Sequence, residues 1–364
     1  MKLNQITRFL ETVAPLNYQE DYDNSGLLIG DPGITIKGIL ISLDCTEAVI
    51  AEAVKKKCNL IICHHPLIFG EIKKITGSNY VERCIALAIK KDIAIYAIHT
   101  NLDNVKHGVN AEICKRLGLI NCQVLVPKEN LIRKIVVFCP EKESGKVRNA
   151  LFKAGAGQIG NYSECSFNSH GTGTFKGGEG ASPYTGNSSK QNQEHEVKIE
   201  CVYPKVKQYE IVQALLKHHP YEEVAYDIFP IKNVNDAVGS GMLGELKKEV
   251  APMAFLKQLK RRMKTDCIRY TSLGSDKVKK VAVCGGSGSF LLDAAIQQGA
   301  DLLVTADFKY HQFFDADGRI TIADIGHYES EQFTKDLLVG IIKKKFPKFA
   351  VRLSEINTNP IKYL

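Results

Sequence analysis

Apolar positions in the first third of the chain follow two patterns. The opening segment, MKLNQITRFLETVAP, sets Leu3, Ile6, Phe9, Leu10 and Val13 on one face, which predicts an amphipathic helix. Three later runs, IKGILISLD (36–44), NLIICHH (59–65) and IAIYAIHT (93–100), are largely apolar and predict strands. Amphipathic stretches at 46–57, about 80–91 and 108–117 follow them and predict helices. Strands and helices in alternation predict a parallel sheet covered by its own helices.

The pattern changes near Val126. A strand, RKIVVFCP (133–140), precedes a helix that stops at the glycines of KAGAG. Two strand segments, YSECSFNSHGTGTFKG and EHEVKIECVYP, flank a loop rich in Gly, Ser, Asn and Lys at 176–193. A helix at 205–219 and a strand at 224–231 close the segment. The order βαββαβ predicts a ferredoxin-like unit over 127–235.

Beyond 235 the alternation resumes and echoes the first part. ILISLDCTEAVIAEAVKKKCNLIICHH (39–65) aligns without gaps on VAVCGGSGSFLLDAAIQQGADLLVTAD (281–307), at an offset of 242 residues. IAIYAIHTNLD resembles ITIADIGHYESE in the same way. The predicted architecture is a duplicated α/β core, 1–126 and 236–364, split in sequence by the inserted unit.

Composition adds limits rather than direction. The 364 residues are 44% hydrophobic and 24% charged, as in ordinary globular proteins. No apolar run approaches the length that spans a bilayer. The first residues lack the apolar core and cleavage site of a signal peptide, so a cytoplasmic location is expected. The net charge is +8. Its lysines are spread over helices and turns, where they suit helix C-termini, and no nucleic-acid-binding motif accompanies them. The eleven cysteines are scattered, odd in number and without a CxxC pair, which reads as buried reduced thiols.

Ligands of parallel α/β sheets bind beyond the carboxyl ends of the strands. His64 and His65 end one strand, Asp103 follows the next, and His327 and Glu331 follow ITIADIG. Asp307, with Lys309 and His311, follows DLLVTAD. His327 and Glu331 are spaced i,i+4 and share one helix face. Adjacent histidines on a regular strand point apart; at the strand end before Pro66 the chain is free to bend and aim His64 and His65 both inward, or to give one to each of two ions. Histidine with carboxylate suits zinc, iron, manganese, nickel or cobalt better than calcium. Five such residues exceed the needs of one structural zinc and point to two divalent ions.

Other candidates rank lower. The alternation of AIYAIHT turns His99 into the protein. His107, His170 and His195 have no partners in the sequence pattern and read as surface residues. His218 and His219 end a helix of the insert, where histidine suits the dipole. CGGSGSF resembles an anion-cradling turn with Lys309 and His311 nearby, but its glycines also fit a tight strand-to-helix turn.

The stretches YDNSGLLIGDP, HHPLIF, HTNLDNVKHGVNAEICKRLGL, GSGMLGEL, VAVCGGSGSFLLDAAIQQGADLLVTADFKYHQ and IADIGHYESE resemble the NIF3-like family, also labelled GTP cyclohydrolase 1 type 2 homologues. GTGTF and HPYEEVAYDI in the insert resemble the longer bacterial branch, with a middle domain similar to PII and divalent-cation-tolerance proteins. The resemblance implies a dinuclear metal centre on His64, His65, Asp103, His327 and Glu331, and a toroidal homohexamer with the sites facing an inner cavity. Tyr22, Ala306 and Val224 depart from the usual family residues, and none is among the five. The label implies a metal-dependent hydrolase that opens the guanine ring of GTP. The alternatives are a non-enzymatic metal-bearing scaffold, chaperone or regulator, and a phosphoester hydrolase.

Overall fold

The apolar runs form strands because both their faces are covered. In the computed structural model, which describes residues 1–187 and 189–364, the chain divides into two compact units. One is Met1–Pro127 with Asp236–Leu364, and the other is Lys128–Asn235.

The first unit opens with α1 (Leu3–Val13), whose buried side carries Leu3, Ile6 and Leu10. There follow β1 (Gly26–Ile29), β2 (Ile39–Ser42), α2 (Glu47–Lys55), β3 (Leu60–Cys63), α3 (Tyr80–Lys90) and β4 (Ala94–Ala97). Thr46 and Asn79 cap α2 and α3 by accepting from the amides of Val49 and Glu82. β2, β3 and β4 are parallel neighbours and every residue in them is buried. Ile39, Ile41, Leu60, Ile62 and Tyr96 face one apolar cluster, and Leu40, Ile61, Cys63 and Ile95 face another. That two-sided burial is why the sequence shows unbroken apolar runs. β1 differs from the expected parallel pattern, pairing antiparallel on the β4 edge. The segment ends with α4 (Thr100–Asp103), α5 (Val109–Leu117) and β5 (Ile120–Pro127).

The second unit runs β6 (Ile132–Pro140), α6 (Ser144–Ala154), β7 (Phe167–Phe175), β8 (Asn192–Pro204), α7 (Gln208–His218) and β9 (Tyr226–Ile231). Its antiparallel sheet has the order β7-β8-β6-β9. Ile135, Val137, Leu151, Ile199 and Leu215 form its core.

The chain then returns to the first unit with β10 (Gly239–Val250), α8 (Pro252–Met263), β11 (Arg269–Tyr270), β12 (Val278–Ser287), α9 (Leu292–Gln297) and β13 (Leu302–Ala306). β14 (Thr321–Asp324), α10 (His327–Glu331), α11 (Thr334–Lys345) and β15 (Val351–Leu353) complete it. The two sheets of this unit have the orders β1-β4-β3-β2-β15 and β11-β14-β13-β12-β10-β5. β12, β13 and β14 are parallel neighbours, like β2, β3 and β4. Ile39 faces Leu60 in the first sheet, and Val281 faces Leu302 in the second. The 242-residue offset read from the sequence carries the first pair onto the second.

Two features depart from simple alternation. β10 is antiparallel and lies between β12 and β5, with Gly239 opposite Pro127. β15 pairs parallel with β2, so the far end of the chain completes the first sheet. No helix among the described residues is long and apolar enough to cross a membrane.

Candidate metal centre

Three strand ends of the two-sheet unit deliver the predicted residues to one place. At the end of β3 the amides of His64 and His65 both donate to the Leu43 carbonyl, at 3.0 Å each. This breaks the strand's alternation, and the two rings come to 5.0 Å between centroids. After β4, the single turn of α4 ends on Asp103. After β14, Gly326 starts α10 with φ 91°, and the i,i+4 spacing sets His327 beside Glu331.

Glu331, 2% exposed, is the centre of the group. Its Oε2 lies 2.8 Å from His65 Nε2 and 3.2 Å from His327 Nε2. Its Oε1 lies 3.8 Å from His64 Nε2, which is 3.5 Å from Asp103 Oδ1. Two three-residue groups that could hold a cation therefore share Glu331: His65, His327 and Glu331, and His64, Asp103 and Glu331. A third combines His64, His65 and His99.

Each histidine is fixed from behind through Nδ1. His65 bonds Asp44 Oδ1 at 2.7 Å, His327 bonds Asp307 Oδ2 at 2.6 Å, His99 bonds Asp23 Oδ1 at 2.7 Å and His64 bonds the Ile98 carbonyl at 2.8 Å. Donation from Nδ1 leaves Nε2 as the ligating atom, the outer support common in metal sites. Without a cation, burial opposes charging His65, but hydrogen bonds to Asp44 and Glu331 outweigh it and lift the ring to about 10. Burial likewise opposes charging His327, and the Glu331 and Asp307 carboxylates lift it to about 11. Burial and the neighbouring Glu331 charge push the Asp103 carboxyl up to about 8.

The residues fit a divalent cation. His64 Nε2 and Asp103 Oδ1 are buried and have no hydrogen-bond partner, a state native proteins seldom leave uncompensated. They face each other at 3.5 Å, close to the edge of about 3.4 Å expected for a tetrahedron with bonds of about 2.1 Å. Imidazoles in their neutral form, with the buried Glu331 and half-buried Asp103 carboxylates, would form a donor set for transition metals.

His99 is a correction to the sequence reading. The chain leaves β4 before it, so its ring turns toward the cluster, 5.2 Å from His64 and 5.4 Å from His65 between centroids. Asp44 and Asp23 were not singled out from sequence, although both lie in loops that approach the strand ends. The glycine turn is explained by steric need. Gly286 has φ 63°, and a Cβ there would lie 2.5 Å from Glu331 Oε1. The Gly285 and Gly286 amides donate to Asn110 Oδ1 and Ser330 Oγ, so neither is available to cradle an anion. In the insert, His218 Nδ1 and His219 Nε2 pair with the Ala214 and Phe138 carbonyls. His107, His170 and His195 are exposed.

The segment after β15 supports the centre from outside. Thr358 donates its hydroxyl to Asp44, and Asn359 Nδ2 donates to Glu329 Oε1 at 2.9 Å. The cluster opens into a cavity of about 410 Å³ with Tyr22 and Phe69 at its rim.

The description Duf34/NIF3 (NGG1p interacting factor 3) belongs to the family model that matches residues 1–360. A relative from Halalkalibacterium halodurans, named GTP cyclohydrolase 1 type 2 homolog, is 38% identical over 99% of this chain and 98% of its own length. A relative of the same name from Bacillus subtilis is also 38% identical, with the same coverage. Among solved structures, a Bacillus cereus protein related to NIF3 is similar with a TM-score of 0.84 at 36% identity, covering 100% of this chain and 99% of that one. A Staphylococcus aureus protein has a TM-score of 0.80 at 31% identity, with the same coverage. Full-length agreement in sequence and fold makes the chain a member of the NIF3 family.

Proposed function

We propose that the chain is a metal-dependent hydrolase acting on a nucleotide, with two divalent ions that His64, His65, Asp103, His327 and Glu331 would hold. The observation that carries this reading is the division of the donors about one carboxylate. Glu331 Oε2 lies beside His65 and His327, while Oε1 lies toward His64, whose Nε2 faces Asp103. Divalent ions bound there supply Lewis acidity and a water of lowered pKa. His99, held through Nδ1 by Asp23, keeps Nε2 free to accept or return a proton in the cavity.

The name shared by the relatives supports GTP as substrate, with water adding at C8 of the guanine ring and formate leaving. The test is formate and pterin-triphosphate release from GTP by the metal-loaded protein, lost in the His64→Ala, His327→Ala double variant. Unchanged release in that variant would sink the mechanism. Phosphate release in place of formate gives phosphoester hydrolysis. Metal binding without turnover of any nucleotide leaves a metal-bearing scaffold or carrier.

The strand order β7-β8-β6-β9, with α6 and α7 as the two crossovers, supports a ferredoxin-like fold for the insert. The exposed aromatic surface of Tyr310, Phe314 and Phe290 supports assembly into a homohexamer. Light scattering should then return about six times the 40.3 kDa of one chain. A monomer mass removes that assembly.

A further inference from the structure

Tyr22 and Phe69 stand largely in solvent at the mouth of the cavity, and the donor set does not explain why. Tyr22 is 66% exposed and Phe69 53%. Their ring centroids are 6.2 Å apart with planes tilted by 32°, and Phe69 lies 6.0 Å from the His99 ring. The loops that carry them are tied together, since Asn24 Nδ2 donates to the Ile68 carbonyl at 2.7 Å. Asp23, adjacent to Tyr22, accepts from His99 Nδ1 and the Thr100 amide. Two aromatic rings held in place but uncovered, beside a polar cavity, mark surface that a ligand covers.

The cavity also excludes one way of gripping a nucleotide. Among the described residues that line it, none is Lys or Arg. The Gly285 and Gly286 amides are already bonded. A phosphate chain would find neither Lys nor Arg there, whereas a flat ring finds two aromatic faces. The volume of about 410 Å³ lies within the small-ligand range.

We infer that the cavity takes the planar nitrogen heterocycle of its substrate, laid against Tyr22 and Phe69, with its polar edge toward His99 and Glu331 and its phosphates outside. The inference rests on the nucleotide reading above and names the part of the nucleotide that enters.

The chain contains no tryptophan, so Tyr22→Trp puts a single indole emitter at the contact. The metal-loaded variant is titrated with guanosine, adenosine and neopterin, which carry a ring without phosphate. Tripolyphosphate supplies phosphate without a ring. Saturable quenching by a ring compound, and none by tripolyphosphate, is the expected result. Adding Phe69→Ala should weaken ring binding about tenfold, through loss of one stacking partner. No quenching by any of the three ring compounds overturns the inference, as does an unchanged dissociation constant in the Phe69→Ala background. Circular dichroism and metal content matching the unaltered chain establish that the variants are folded. Formate release from GTP is measured separately. Ring binding without formate keeps the contact and removes the cyclohydrolase chemistry. Formate release without ring-dependent quenching removes the contact alone.

Discussion

Asp44 acts on the centre through the ring it holds, accepting from His65 Nδ1 at 2.7 Å. Asp44→Asn should therefore lower metal affinity by about 10–100-fold while leaving every proposed ligand in place. Competition against a chromogenic chelator reads this directly, and an unchanged affinity would show that His65 orients itself. Gly286→Ala tests a different contact. Its Cβ would crowd Glu331 Oε1 at 2.5 Å from a backbone with φ 63°, so a loss of about 1–3 kcal/mol in stability is expected. Urea unfolding together with metal content per chain would check it. Sequence reading gathered His64, His65, Asp103, His327 and Glu331 because strand ends and helix spacing follow from local pattern. Asp44 and Asp23 escaped it, and His99 ranked low, because their roles depend on how loops turn after a strand stops, which no periodicity encodes. The glycine turn was legible only as two alternatives, and the packing of Glu331 decides between them.

At the level of elements, α3 begins on a dense polar knot. Glu82 accepts from the Thr76 and Ser78 amides and from the hydroxyls of both residues. The Thr76 and Ser78 amides, followed by the Ser78 hydroxyl, hold its carboxyl down at about 2. A depressed folded value means the contribution is present above the unfolded pKa of about 4.3 and fades as pH falls toward 2. Glu82→Gln should accordingly lower the unfolding midpoint at pH 7, and its deficit relative to the unaltered chain should shrink below pH 4. A deficit independent of pH would assign the effect to packing. The central strands were legible because burial on both faces makes them uniformly apolar. β10 was not, since its glycines and its Lys-Lys-Glu run blur the alternation. Its pairing with β5 on one side and β12 on the other settles it as a strand.

For the whole molecule, the adjacency of Gly239 and Pro127 has a direct experimental use. The insert leaves and re-enters the two-sheet unit at paired positions, so 129–235 can be replaced by a short Gly/Asn turn without stretching either strand. The shortened chain should fold and keep the metal content of the full one, as measured by elemental analysis. Loss of metal with retained circular dichroism would give the insert a part in the centre. Duplication was visible as a fixed offset and survives as shared register. The crossing of β15 to the β2 edge was invisible, because three residues carry no pattern that names their partner strand.

That crossing sets an order of events during synthesis. His65 and Glu331 are 266 residues apart, so at about 5–20 residues per second the ribosome delivers the second tens of seconds after the first. Through that interval the β2 edge stands unpaired, and neither Thr358 nor Asn359 is present to hold Asp44 and Glu329. A half-made chain offers His64, His65 and His99 but no Glu331 to divide the donors. The full donor set is therefore assembled only once both halves have emerged and the late segment has tied Asp44 and Glu329 in place.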